Sequence, residues 1–374
     1  MNDTMTRRHF MQSTAITGAA LAALGDGALA ADDDRRITLA LVGCAHIHTP
    51  SFVNLLKGRK DVRVKYVWDP TEARATKRAS SLGSQVVKDV QEVWNDPEVA
   101  AVVICSETNR HRDLVLAAAT ARKHLFAEKP LGVTSKESFE MAGAIEKANL
   151  LFTTGYFMRT TPEHLFLKEQ VAQGVFGKIT RVNAWNCHSG SLGGWFDEKA
   201  DAPADSWRWM ADPKIAGVGA FGDLGTHMLD ILMWIFGDVE KVTADIEIVT
   251  GRYPGCDEMG QGMLKFKNGV SGTLTAGWVD VASPVTLIIA GTEAHAMIYN
   301  GELYFKCKKV EGADGKGPWK QLPKAPPVPL AQFVDAVGGK KDQPLVTPRE
   351  AAARVSVMEA MYEAARAGTW VKPA

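Results

Sequence analysis

Ile37-Thr38-Leu39-Ala40-Leu41-Val42-Gly43-Cys44-Ala45-His46-Ile47-His48 is the stretch on which the fold turns. Six apolar and β-branched residues read as a buried strand, and Gly43 allows a tight turn into a helix. A Gly-x-Gly-x-x-Gly at such a turn lets the backbone approach a pyrophosphate held at a helix N-terminus. Here only the first glycine stands; the second place is Ala45 and the third His48. Support comes from Asp69, which closes the next apolar run 21 positions after His48. An acidic residue at about that distance accepts hydrogen bonds from an adenosine ribose and disfavours a 2′-phosphate. Asp69-Pro70 also fits a helix-capping Asp with Pro at the first helical position, and the two roles are compatible.

Outward from this stretch, residues 62–68, 99–105, 124–127 and 150–154 read as further strands, with helical patterns such as 113–122 and 135–148 between them. The expected fold is α/β: an N-terminal Rossmann-type, doubly wound parallel sheet that binds its ligand beyond the carboxyl ends of the strands. The second half changes character. After a helix at 163–173, strands at 179–185, 242–249, 262–266, 270–276, 285–290 and 296–299 follow one another, some joined by turns such as Lys267-Asn268-Gly269. This predicts a C-terminal α+β domain with a mostly antiparallel open sheet. Residues 312–329 read as a Gly-, Lys- and Pro-rich surface connection, and 349–366 as a closing helix that packs back on the first domain. The divisions are 1–30, 35–155 and 156–374.

Residues 1–30 carry Arg7-Arg8, an apolar small-residue run and Ala28-Leu29-Ala30, the pattern of a twin-arginine export signal with a cleavage site. The expected partner is the twin-arginine machinery and the expected place the periplasm or beyond. The run 16–24 is too short and too rich in Gly and Ala to span about 30 Å of hydrocarbon, so no stable membrane insertion is expected. Lys+Arg and Asp+Glu balance at 43 each, which gives no basic field for nucleic acid and leaves an uncharged small molecule as the default ligand. Five cysteines without a Cys-x-x-Cys pair argue against a redox dithiol or a zinc ribbon. Cys44 and Cys105 read as small buried side chains, whereas Cys187, Cys256 and Cys307 are free to pair in an oxidising compartment.

Two places carry chemistry. Glu128-Lys129-Pro130 follows the strand 124–127, which sets Lys129 at a strand's carboxyl end, over the expected nicotinamide. Burial disfavours an ammonium, and a lysine so placed can move a proton to or from a hydroxyl during hydride transfer; the alternative is a solvated turn lysine. The glycine-rich stretch 217–222 then opens an apolar helix on which Asp223 and His227 stand four apart, so their side chains share one face.

The chain resembles the glucose-fructose oxidoreductase, inositol dehydrogenase and rhizopine-catabolism (Gfo/Idh/MocA) family over nearly all of its mature length. The resemblance is carried by Glu128-Lys129-Pro130, by Asp223-x-x-x-His227 with Asp230 and Trp234, by Thr154-Gly155-Tyr156 with Arg159 and Pro162, by Asp257-Glu258, and by the closing helix with Gly368. It implies that Lys129 transfers the proton, that Asp223 and His227 bind and polarise sugar or polyol hydroxyls, and that subunits pair as a homo-oligomer through the second domain's sheet. It also implies NAD, with NADP disfavoured by Asp69. The dinucleotide candidates are Gly43, Ala45, His46, His48, Asp69, Ser106, Asn109, His111 and Glu128; Tyr156, Arg159 and His188 are candidates for the carbohydrate pocket.

Two departures stand out: the degraded glycine motif, and Ser106-Glu107-Thr108-Asn109 where the family usually has Thr-Pro-Asn. Glu107 brings a carboxylate to the same sheet edge as His46 and His48, a workable set of metal ligands. The leading expectation is an exported oxidoreductase moving hydride between a sugar, polyol or glycoside and a tightly held nicotinamide. The alternative is a glycoside hydrolase or lyase on the same scaffold, working by transient oxidation or with a metal at His46, His48 and Glu107.

Overall fold

The computed structural model describes residues 36–199 and 206–374; the export signal expected at 1–30 lies outside the described residues. The first sheet has six strands, β1 Ile37–Val42, β2 Val62–Trp68, β3 Gln85–Val86, β4 Ala101–Ile104, β5 His124–Ala127 and β6 Phe152–Thr154. Their order is β3-β2-β1-β4-β5-β6 and every pairing is parallel, so the winding reverses between β1 and β4. A crevice for a ligand opens at that reversal, beyond the carboxyl ends of both strands. Leu39, Ala40, Leu41 and Val42 in β1 and Val102, Val103 and Ile104 in β4 are fully buried, as the continuous apolar runs of a sheet covered on both faces require.

Gly43 is needed where it stands. Its φ is +83°, and a Cβ there would lie 2.5 Å from the backbone nitrogen of Ser106. The turn after β1 can therefore lie against the turn after β4 only with glycine at this position.

The second sheet holds β7 Ile179–Cys187, β8 Val239–Glu247, β9 Met259–Phe266, β10 Ser271–Gly277, β11 Val285–Gly291, β12 Ala294–Tyr299, β13 Glu302–Cys307 and β14 Asp314–Pro318. The order is β14-β13-β12-β11-β7-β10-β9-β8, antiparallel throughout except for the β7–β10 pair. One face is covered by the helix Ala220–Phe236, in which Phe221, Leu229, Ile231 and Leu232 are fully buried. Asn186 fastens the two layers, its side-chain amide donating to the Leu224 carbonyl at 2.8 Å.

The closing helix runs Pro348–Ala367 behind a capping box made by Thr347 and Glu350, and ends at Gly368 in the left-handed region. Ala351, Ala352 and Val355 join the core of the first sheet, while Val357, Met358, Ala360 and Met361 join that of the second. One helix is thus part of both interiors.

Two expectations are corrected. The stretch 312–329 is not all connection, because β14 pairs along β13 at the sheet edge. Gly315 lies at φ +74°, which a pattern search for β-branched alternation passes over. The helix after β2 begins at Glu72 with Thr71, not Asp69, at its N-cap position, and the Thr71 side chain makes no capping bond. All five cysteines are free thiols. Among the described residues no helix is long and apolar enough to cross a membrane.

Candidate active site

The cleft is built from the carboxyl ends of β1, β4 and β5 on one side and the start of the helix Ala220–Phe236 on the other. Lys129, carried past β5 by a cis Lys129-Pro130 peptide, reaches across it. Its ammonium lies 2.8 Å from Asp223 Oδ1 and 3.3 Å from the Asp223 carbonyl, and the residue is only 2% exposed. Trp278, fully buried, donates its indole N–H to Asp223 Oδ2 at 3.3 Å. Burial alone would push the Asp223 carboxyl up, but Lys129 beside it holds it down to about 2. The pair is therefore a fixed ammonium-carboxylate couple contributed by two domains.

His227 stands one turn further along the same helix, its ring 4.9 Å from that of Phe157, 6.3 Å from Tyr156 and 6.4 Å from His48. Its Nδ1 is buried with no hydrogen-bond partner among the described residues. Burial, reinforced by the Lys129 charge, keeps this imidazole neutral by pushing its pKa well below the ordinary value. His188 follows β7, accepts the Gly190 N–H on Nδ1 at 2.9 Å and stacks on Trp195; burial pushes its pKa down to about 4. The His188 N–H donates to the Gly277 carbonyl at 3.0 Å, next to Trp278, the indole partner of Asp223, and this puts His188 beside the same cleft.

On the other side, Glu128 is fully buried and faces two imidazoles. His48 Nδ1 is 3.0 Å from Oε1, His46 Nε2 is 3.8 Å from Oε2, and Oε2 also accepts the Lys129 N–H at 2.9 Å. Gly155 makes room for this carboxylate, since a Cβ there would sit 2.7 Å from Oε2. Burial pushes His46 down to about 3. Burial alone would raise Glu128, but the facing imidazoles of His46 and His48 with the Lys129 ammonium hold it well below the usual carboxylate range.

The remaining candidates fall differently. Glu107 does not join His46 and His48: it is held by Arg74 at 2.7 Å and Arg110 at 3.3 Å, so the carboxylate between the imidazoles is Glu128. Asp69 accepts the Cys44 N–H and the Thr71 N–H, both at 2.7 Å, and lies 3.0 Å from Arg74 Nε. Arg159 is not in the cleft. It grips Asp230 with two contacts of 2.8 and 2.6 Å, because a fully buried carboxylate needs a compensating charge. Tyr156 is buried with its hydroxyl 3.1 Å from Thr226 Oγ1, presenting the cleft with the edge of a ring behind His227 rather than a hydroxyl. His111 Nδ1 contacts the Pro130 and Leu131 carbonyls at 3.1 and 3.2 Å, which fixes the turn that carries Lys129. Ser106 is buried and Asn109 exposed at the cleft edge.

Sequence reasoning missed Trp278 and Trp209. Trp209 comes from the second domain, donates its N–H to the Ala45 carbonyl at 3.1 Å and lies 6.0 Å from the His46 ring. The only signal was a cluster of tryptophans, Trp195, Trp207 and Trp209, with no period to interpret.

The turn after β1 fits a dinucleotide despite its lost glycines. The N–H groups of Cys44, His46 and His48 are taken up by Asp69, the Cys105 carbonyl and His46 Nδ1, which leaves those of Ala45 and Ile47 without an acceptor among the described residues. Thr49 Oγ1 is also buried without a partner, and no acidic residue stands in the first turn of the helix Thr49–Gly58. Free amides at a helix start are what an anionic diphosphate requires.

The neutral imidazoles give a pH dependence. As pH falls through about 6.5 the unfolded chain protonates His46 and His188, while the folded chain, with values near 3 and 4, does not. The unfolded state then binds more protons, so stability falls with pH. Stability is expected to be fully present above about pH 7, to decline between about 6.5 and 4, and to fall faster below about 4, where Asp223 and Glu258, both held near 2, add their contribution. Thermal melts in a pH series check this; a melting temperature unchanged from pH 7 to 4 contradicts it.

Comparison with known proteins agrees with this geometry. Residues 37–156 match the oxidoreductase family with an NAD-binding Rossmann fold, and residues 164–297 match the GFO/IDH/MocA C-terminal domain. Myo-inositol 2-dehydrogenase of Thermotoga maritima is 30% identical over 63% of this chain and 67% of its own length. Levoglucosan dehydrogenase of Pseudarthrobacter phenanthrenivorans is 26% identical over 50% of this chain and 52% of its own. Among solved structures, levoglucosan dehydrogenase in complex with NADH superposes with a TM-score of 0.73 at 21% identity, covering 91% of this chain and 99% of that one. With two profiles matching its two sheets in order, the chain belongs to the Gfo/Idh/MocA family of oxidoreductases and carries that family's NAD-binding Rossmann domain.

Proposed function

We propose that the chain is an exported dehydrogenase acting on a secondary alcohol of a sugar, polyol or glycoside, with a tightly held NAD. The observation that carries this is the 2.8 Å couple between Lys129 of the first domain and Asp223 of the second, with His227 one turn away. Relatives named for myo-inositol, levoglucosan and D-glucoside oxidation support the substrate class.

When bound, the nicotinamide supplies the hydride acceptor or donor. Lys129 exchanges the proton of the reacting hydroxyl at Nζ, and Asp223 fixes that nitrogen in the cleft. His227 and His188, kept neutral by burial, can bond neighbouring hydroxyls without adding charge. Trp278 and Phe196, stacked 4.2 Å apart, back the carboxylate with an apolar wall. NAD over NADP is supported at the ribose end by Asp69 and Glu107, which hold Arg74 between them and away from a 2′-phosphate. Export is supported by Arg7-Arg8 and Ala28-Leu29-Ala30. Pairing of copies over the outer face of the second sheet is supported by the exposed Met263 and Tyr299.

The test is to denature the purified protein and identify what comes off by mass spectrometry, then to follow nicotinamide absorbance with a panel of inositols, anhydrosugars and glucosides. Released NAD or NADH and turnover on one of the panel are expected. A protein that carries no nucleotide and binds no added NADH overturns the proposal.

A further inference from the structure

Three donor atoms of metal-ligand type meet on the floor of the cleft, and only two of them are hydrogen-bonded to each other among the described residues. His46, His48 and Glu128 each offer one atom, and these lie within 4.8 Å of each other. Glu128 Oε1 has the His48 ring at 3.0 Å, but His46 Nε2, at 3.8 Å from Oε2, is outside hydrogen-bond reach. A simple histidine-carboxylate hydrogen bond needs one imidazole; the second is left over. The fold spends a glycine, Gly155, to admit the carboxylate, and sets both imidazoles where a family pattern would have an unspecified residue and a glycine.

We propose that His46, His48 and Glu128 hold one divalent transition-metal ion of the zinc, cobalt or manganese class. Bonds of ~2.1 Å in a tetrahedral shell put ligand atoms ~3.4 Å apart, and the three donor atoms, one from each residue, already lie within 4.8 Å of one another. Two imidazole nitrogens and one carboxylate suit such an ion, whereas magnesium and calcium prefer oxygen alone. Three protein ligands leave a position open. That position lies on the side of His227, whose ring is 6.4 Å from that of His48, in the cleft that Lys129 and Asp223 close. A hydroxyl or carbonyl oxygen of the substrate is the ligand it would take, a point that rests on the reading given under Proposed function; metal binding itself does not. Loading moves the His46 proton to Nδ1, so the 3.2 Å contact from the His48 N–H to that atom gives way. Glu107, tied to Arg74 in the neighbouring turn, takes no part.

The test uses the full chain stripped with a chelator and titrated calorimetrically with Zn²⁺, and separately with Co²⁺ watched for the visible bands of a four- or five-coordinate ion. One ion per chain is expected, with affinity falling at least about a hundredfold in His48→Ala and Glu128→Gln and unchanged in Glu107→Gln. His48 is partly exposed, so its variant should fold even where Glu128→Gln does not; circular dichroism decides this. Failure of the parent chain to bind either ion at one equivalent, or equal binding by folded His48→Ala, overturns the proposal. NADH binding is measured in parallel by fluorescence: its loss would count against the dehydrogenase reading and leave the metal site standing.

Discussion

Lys129→Ala is expected to lower kcat by about two to four orders of magnitude, the range spanned by removal of a positioned proton-transfer group. KM for the carbohydrate and affinity for NADH should change far less, because Lys129 bonds Asp223 and, in the proposed reaction, the reacting oxygen rather than the bulk of either ligand. The substitution also leaves the carboxylate of Asp223 buried with Trp278 as its one remaining side-chain donor among the described residues, and that is destabilising. The double variant Lys129→Met with Asp223→Asn removes both charges together and is expected to recover stability while staying inactive. Primary amines added to Lys129→Ala should restore part of the rate, more for those whose pKa lies near the assay pH. A Lys129→Ala protein with kcat within tenfold of the parent would remove Lys129 from the chemistry.

The second large effect concerns a buried charge network behind the cleft. Asp230, fully buried, is held by Arg159 at 2.6 Å and by Arg354 of the closing helix at 2.9 Å, with Glu350 3.1 Å from Arg159. Asp230→Asn leaves two buried guanidinium groups with the partly exposed Glu350 as their remaining anion among the described residues, and is expected to cost about 3 kcal/mol. Arg112→Ala removes one of the exposed pairs on the helix His111–Thr120, with Glu140, and is expected to leave the midpoint close to that of the parent, since solvent screens such a pair. Urea denaturation of the two variants beside the parent makes the comparison. Equal midpoints for Asp230→Asn and the parent would mean that the network contributes no stability.

The same contrast explains what the sequence could disclose. β1, the turn at Gly43, Lys129 at the end of β5, and Asp223 with His227 on one helical face are local features: period, turn chemistry and spacing of four are written within a dozen residues. The Glu128 side chain was legible as a position but not as a partner, because His48 lies 80 residues earlier and only the strand order brings them together. For that reason Glu107, nearer to the expected sheet edge, was the natural but mistaken third member of the set. Arg159 was misplaced for the same cause: its partners Asp230 and Glu350 are 71 and 191 residues away, and an arginine beside a pocket motif carries no mark of which side it faces. β14 was hidden by composition, since Gly315 and Gly317 suit an edge strand that packs little.

The closing helix has a consequence for how the molecule is made. Arg354 completes the charge around Asp230, Glu359 accepts the Ser135 N–H at 3.0 Å, and Tyr362 bonds Asp257 and the N–H groups of Gly219 and Gly222 at the start of the helix that bears Asp223. These residues follow both sheets in the chain, so a nascent chain can form both sheets and still hold an unassembled cleft until the helix has emerged. Completion of the cleft therefore waits on the docking of this single helix.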